Sequence, residues 1–246
     1  MPLYREQGIV LRTHRLGEAD KIVTVMTQGS GKVRAVAKGV RRTTSRFGAR
    51  LEPFTHVDVL LYRGRGALDT VTQAQIISAF LPLRADLGLF AAGEAMLEAV
   101  DKVAEEHERN VRLFLLLLAG LRALEARPAD PAAVAESFLL KLLSLSGFHP
   151  SLTTCAVCGA PDPPLFSPGQ GGAVCGGCVE HGAGPASAGS LRLLDALARE
   201  PLERAGALSF EERDRREARA LLYGFAEYHL ERRMRSLPLL ARSLAP

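Results

Sequence analysis

Over the first 80 residues apolar positions alternate with polar ones or gather in short β-branched runs, with glycine-rich corners between them. Gly8-Ile9-Val10-Leu11-Arg12-Thr13 leads into the turn-like Leu16-Gly17-Glu18-Ala19-Asp20. Lys21-Ile22-Val23-Thr24-Val25-Met26-Thr27 follows and stops at Gln28-Gly29-Ser30-Gly31. In Lys32-Val33-Arg34-Ala35-Val36-Ala37-Lys38 the even-numbered Lys32, Arg34 and Lys38 share one face of a strand, while Val33, Ala35 and Ala37 take the other. Stretches 54–62 and 68–77 make a fourth and fifth strand, joined by Arg63-Gly64-Arg65-Gly66. Five short strands in so little chain suit a small closed barrel of the OB type; an SH3-like barrel fits the same spacing.

From about residue 84 the period becomes helical. Phe90, Leu97, Val100 and Ala104 mark a first helix, and Leu113, Leu116, Leu117 and Leu121 a second over roughly 110–126. Asp130-Pro131 starts a third, which carries Phe138, Leu139, Leu142, Leu143 and Leu145 and stops at Gly147. Ser209-Phe210-Glu211-Glu212 reads as a capping box opening a long last helix to about 235, with Ala218, Leu221, Leu222, Phe225 and His229 as its apolar stripe. Stripes of this kind are core far more often than ligand sites.

Between the helical stretches stand Cys155-Ala156-Val157-Cys158 and Cys175-Gly176-Gly177-Cys178, two Cys-x-x-Cys knuckles separated by 16 residues. That spacing belongs to structural zinc sites, whose four thiolates close the coordination sphere and leave no position for an activated water. Pro161, Pro163, Pro164 and Pro168, with glycines at 169, 171 and 172, leave the intervening loop little core, so a bound Zn2+ would supply the missing stabilisation. Cys155, Cys158, Cys175 and Cys178 are therefore the expected metal ligands. A thioredoxin-like redox reading lacks the surrounding βαβ pattern.

Charge divides the chain unevenly. The whole carries a formal +4, yet residues 1–80 hold 13 Lys and Arg against 6 Asp and Glu, and the remainder 18 against 21. A cationic third beside a mildly acidic remainder points to a polyanionic partner. The connection from Gly39 to Arg50 alone holds Arg41, Arg42, Arg46 and Arg50 with Phe47, and the next loop adds Arg63 and Arg65. Aromatic platforms are few (Phe47, Phe54, Tyr62, and no Trp), so binding should rest on phosphates, be weak in sequence preference and depend steeply on salt. No apolar run is long enough to span a bilayer. Met1-Pro2-Leu3-Tyr4-Arg5-Glu6 puts charge where a signal peptide needs apolar residues, and a cytoplasmic, nucleoid-associated protein is expected.

Catalytic motifs fail on inspection. Gly29-Ser30-Gly31-Lys32 has Met26 and Val33 where a P-loop needs Gly and Ser or Thr. His107-Glu108 has Val111 at the second histidine of a zinc-protease helix. No His-x-Glu precedes the cysteines as a zinc deaminase requires, and Asp58 and Asp69 are scattered singles, not a nuclease cluster. A binding protein without turnover is expected, and from these residues alone DNA and RNA are equally eligible.

Gly8-Ile9-Val10-Leu11-Arg12, Gly17-Glu18-Ala19-Asp20, Ala37-Lys38-Gly39-Val40-Arg41-Arg42, Leu51-Glu52-Pro53-Phe54 and Thr72-Gln73-Ala74 resemble, in order, the N-terminal domain of the bacterial RecO family. Leu142-Leu143-Ser144-Leu145-Ser146-Gly147-Phe148-His149-Pro150, the two knuckles and Phe166-Ser167 extend the resemblance to about residue 185. It implies an α+β multidomain chain: an OB-type β-barrel at 1–80, then an α-helical domain (81–150 and 187–246) with an inserted four-cysteine zinc-binding module (151–186). It further implies a recombination mediator that binds single- and double-stranded DNA and anneals complementary strands. With a RecR-like protein, such a mediator loads RecA onto gaps coated by single-strand-binding protein. Carried onto this chain, the DNA-contacting residues are Lys32, Arg34, Lys38, Arg41, Arg42, Arg46 and Arg50, with Arg63 and Arg65. The acidic, apolar-ended tail of the single-strand-binding protein calls for a hydrophobic groove with a basic rim in the helical part.

Overall fold

The structure, a computed structural model, describes residues 3–41, 47–64 and 66–242. Five strands, β1 (Leu3–Leu16), β2 (Asp20–Thr27), β3 (Gly31–Ala37), β4 (His56–Tyr62) and β5 (Asp69–Ser78), close into a barrel in the order β1-β2-β3-β5-β4. The long β1 pairs through its first half with β4 and through its second with β2. Closure rests on a short parallel contact between β3 and β5, Ala35 with Asp69 and Val36 with Thr70. This is the OB-type barrel that the strand count suggested.

The period-2 pattern is obeyed on β3, where Val33, Ala35 and Ala37 point into the barrel beside Val10, Val23, Val25, Val57, Val59 and Leu61. β-branched side chains fill this interior because their stiff rotamers suit a pleated wall. Part of the outer face of β1 and β2 is apolar as well. Ile9 and Met26, cross-strand partners, are fully buried with Leu11 in the helical core, so the outside of the barrel docks on the helices while the barrel keeps an interior of its own.

Helices α1 (Pro82–Ala85), α2 (Leu87–Val103), α3 (Val111–Glu125) and α4 (Pro131–Leu145) follow the barrel, and α5 (Ala188–Arg199), α6 (Leu202–Ala205), α7 (Glu212–Leu230) and α8 (Ser236–Arg242) complete the layer. Asp86, Asn110, Asp130 and Ser187 cap α2, α3, α4 and α5 by accepting from the backbone N–H three residues on. Among the described residues, no helix is long and apolar enough to cross a membrane.

Two expectations about the last long helix are corrected. Ser209 does not cap it: α7 starts at Glu212, Glu211 stands at the cap with no side-chain bond, and the helix stops at Glu231 in the left-handed region. The cause is Arg215, whose guanidinium binds the carbonyls of Phe210 and Leu208 and the carboxylate of Asp130, holding 208–210 outside the helix. The run Arg213, Arg215, Arg216, Arg219, interleaved with acids, has the pattern of a solvated face, and the structure splits it. Arg213 and Arg216 are exposed, but Arg215 and Arg219 turn inward. Arg219 Nε lies 2.7 Å from Glu136 Oε1 in a pair whose side chains are 14% and 7% exposed.

Between α4 and α5 a small sheet, β6 (Leu165–Ser167), β7 (Gly172–Val174) and β8 (Gly184–Pro185), runs in the order β7-β6-β8. It rests on the helices through Phe166, which meets Phe225 edge-on, and through His229, whose ring stacks on Phe148 and whose Nε2 lies 3.0 Å from the Pro168 carbonyl.

Candidate nucleic-acid interface and metal centre

The four cysteines converge. Cys155 precedes the small sheet, Cys175 follows β7 directly, and all four Sγ atoms lie within 4.8 Å of one another. Cys158 Sγ and Cys175 Sγ are 3.7 Å apart. Thiolates at about 2.3 Å around a tetrahedral ion stand about 3.8 Å from each other, whereas a disulfide needs about 2.05 Å. All four are free thiols, so the donor set fits a soft, tetrahedrally bound metal ion.

Backbone geometry builds the cage. Cys155 N donates to Ala160 O at 2.8 Å and Gly159 N to Cys155 O at 2.9 Å, while Cys178 N donates to Cys175 O at 3.1 Å. Gln170 braces the second knuckle, its Nε2 donating to Cys178 O at 2.8 Å and its Oε1 accepting from Glu180 N. Backbone N–H groups of Cys158 and Cys175 aimed at the sulfur hold the Cys155 thiol down to about 6. Hydrogen bonding among the neighbouring thiols, Cys158 first, pushes Cys178 up to about 12.

The basic residues of the barrel fall into three settings. Lys38 and Arg41 project from the turn after β3 and are exposed. That turn is locked onto the β1–β2 turn. Gly39 N donates to Asp20 Oδ1 at 2.7 Å, Arg41 N to Ala19 O at 3.0 Å and Arg41 Nη1 to Glu18 O at 2.8 Å. Gly39, at φ 67°, makes the bend with no side-chain penalty. Lys21 Nζ bonds Glu52 Oε1 at 2.7 Å and ties the turn bearing exposed Arg50 to the same end. Two of the family-like sequence stretches thus prove to be two halves of one cationic corner.

Lys32 and Arg34 stand in the second setting, against the helical layer. Lys32 Nζ donates to Asp101 O at 2.6 Å, and its side chain is 13% exposed. Arg34 reaches Glu106 at 3.4 Å and keeps 35% exposure. Part of the face of strands two and three that an OB barrel offers to oligonucleotides is here occupied by α2 and the segment after it, at Met26 and Lys32. Alternation identifies the face on which Lys32 lies, but what packs on that face is decided far away in the chain.

Arg63 forms the third setting, its guanidinium 5.0 Å from the centre of the Tyr4 ring. Arg42, Arg46 and Arg65 lie outside the described residues. One residue that strand reasoning missed is Arg15, exposed at the tip of the β1–β2 hairpin opposite Lys21. Its position in the first hairpin, a binding loop of OB barrels, was the available signal. Asp58 and Asp69 form no acidic cluster with each other: Asp58 pairs with Arg5 at 2.7 Å, and Asp69 accepts from the Tyr4 hydroxyl.

The family model described as recombination protein O, N-terminal, matches residues 1–80, and that described as recombination protein O, C-terminal, matches 84–238. A protein of Frankia casuarinae named DNA repair protein RecO is 49% identical over 246 residues, covering 99% of this chain and 100% of its own. Proteins of the same name from Thermobifida fusca and a Nocardioides species are 47% and 45% identical, over 99% and 98% of this chain and 100% of their own. Barrel, helical layer and cysteine cage together carry the matched segments, and the chain belongs to the RecO family.

Proposed function

We propose that this chain is a DNA repair and recombination mediator that binds single- and double-stranded DNA, anneals complementary strands and turns over no substrate. Its working units are the barrel at 1–80, the helical domain at 81–150 and 187–246, and a structural Zn2+ module at 151–186. The observation that carries the reading is the cationic corner, where the locked turns hold Arg15, Lys38 and Arg41 out to solvent beside Arg50. A cluster of this kind suits phosphates, and Arg63 with Arg42, Arg46 and Arg65, the last three outside the described residues, are the further contacts of this reading.

Lys38→Glu with Arg15→Glu tests it, because neither side chain supports the turn. Single-strand affinity is expected to fall about tenfold or more, and the slope of log K against log salt to flatten by about 0.7 per lost contact. Unchanged affinity and slope would place the DNA elsewhere.

Loading of RecA, together with a RecR-like partner, requires contact with strand-bound single-strand-binding protein. A cleft of about 600 Å³ between β1, α2 and α8 suits the acidic, apolar-ended tail of that protein, with Phe90, Leu97 and Leu239 as floor and Arg232 and Arg235 at the rim. Of the acids on its wall, Glu98 is engaged by Ser236 and Lys102 and Asp101 by Arg12, while burial and the neighbouring Glu98 hold the Glu94 carboxyl above its ordinary value. Annealing of coated complementary oligomers without ATP is the functional test. Rates above the protein-free control support mediation, and binding without annealing leaves a plain DNA- or RNA-binding module.

A further inference from the structure

β5 joins β3 only at Ala35 and Val36, so the first half of β3 has an edge that β5 leaves open. The connection from α2 to α3 closes it. Glu106 bridges Lys32 in parallel, and His107 N donates to Lys32 O at 3.0 Å. Gly31 permits the approach, since a Cβ there would stand 1.9 Å from the Glu108 carbonyl oxygen. Glu105, Glu106 and Glu108 in this connection are all exposed. An acidic segment is thus docked on the edge of the strand that carries Lys32 and Arg34.

The contact with Arg34 is loose by every measure. Its Nη1 is 3.4 Å from Glu106 Oε1, both side chains stay partly exposed, and its Nε is buried without a hydrogen-bond partner among the described residues. A guanidinium presents its donors as a planar fork that matches phosphate oxygens, and one long contact leaves most of that capacity unused. Lys32, by contrast, is held by the carbonyl of Asp101 inside the interface. Because Ala35 pairs with Asp69, the loop bearing Arg63 enters the sheet beside Arg34.

We propose that Glu106 and Arg34 form an exchangeable latch at the margin of the DNA surface. Glu106 holds Arg34 in the free protein, and a DNA phosphate takes its place when a strand binds. The latch rests on the DNA-binding reading above. Glu106 then acts as an internal competitor that lowers affinity for short or partial contacts and gives way to a strand lying along β3.

Glu106→Gln removes the competing charge at nearly constant size. The expected result is single-strand binding about two- to fivefold tighter at low salt, with the salt slope steeper by about 0.7. The gain should vanish in an Arg34→Gln background, as coupling between two residues in contact requires. Glu105→Gln, the same charge change one residue away, separates contact from a general field effect and leaves Arg34 untouched should its replacement unfold the barrel. No gain, an equal gain from Glu105→Gln, or a gain that persists without Arg34 overturns the latch, while the loss from Lys38→Glu with Arg15→Glu still supports the DNA reading. If that double variant binds normally, both readings fall together.

Discussion

Arg219→Ala is expected to destabilise the protein by about 3–5 kcal/mol, with a fall in Tm on the order of 10 °C. The reason is the carboxylate it would abandon. Glu136 sits inside α4 with its side chain 7% exposed, and Arg219 from α7 bonds it at 2.7 Å. Burial already holds the Glu136 carboxyl above its ordinary value, with Arg219 pulling the other way. Removing the guanidinium leaves desolvation opposed only by the charge of Arg215, and the carboxyl is pushed further up, toward its protonated form. A carboxyl with a raised folded value contributes stability that is complete below its unfolded value, near 4.5, and lost as pH rises through the folded one. The deficit of the variant should therefore be smaller at pH 5 than at pH 8. Thermal melts at both values check it, and equal deficits would show that the pair is not the cause. Replacing both partners by apolar residues, Glu136→Leu with Arg219→Met, should recover much of the loss.

The second large effect is expected at the metal centre. On the zinc reading proposed above, Cys155→Ser, or a strong chelator acting on the unmodified protein, should release the bound ion and unfold residues 151–186. Cys155 is the most deeply buried of the four ligands, 3% exposed, and also receives the backbone N–H of Cys175. The surrounding sheet has strands of only two or three residues, too short to stand without a staple. Apparent binding energies of structural zinc, about 10–16 kcal/mol in isolated fingers, are folding energies in such modules. Most of the loss should stay local, because α2, α3 and α4 keep their own core, but Phe166 and the Pro168 carbonyl would release Phe225 and His229 on α7. Metal content by elemental analysis and hydrogen exchange over 151–186 and 212–230 measure both parts. Retained metal with unchanged exchange would count against a closed four-thiolate site.

How much of this was legible before folding differs from residue to residue. The inward set Val33, Ala35 and Ala37 followed from alternation, and the start of α4 from Asp130-Pro131, because both are local geometry. The cysteine cage followed from ligand spacing, which brings four sulfurs within reach of one ion. Lys32 and Ser209 show the limit. Lys32 has the sequence environment of a solvent-facing strand cation, yet it is bound to the end of a helix 69 residues away. Ser209 has the sequence environment of a cap, yet Arg215 and Asp130 take over the chain around it. Arg215 and Arg219, interleaved with acids, resemble a solvated face until α4 and its cap supply their partners.

The sequence by itself determined a β-rich, cationic first third, a helical remainder and a tetrahedral set of thiols. All of these depend on period, composition or short-range spacing. Only the tertiary structure decided which basic residues are exposed, namely Lys38 and Arg41 at the locked turns with Arg15 and Arg50, and that Lys32 is half-buried and engaged at the interface. Periodicity reports the face of an element on which a side chain lies. What covers that face is set by contacts between distant segments, here α2 and the loop beyond it against β1–β3, and no local pattern encodes them.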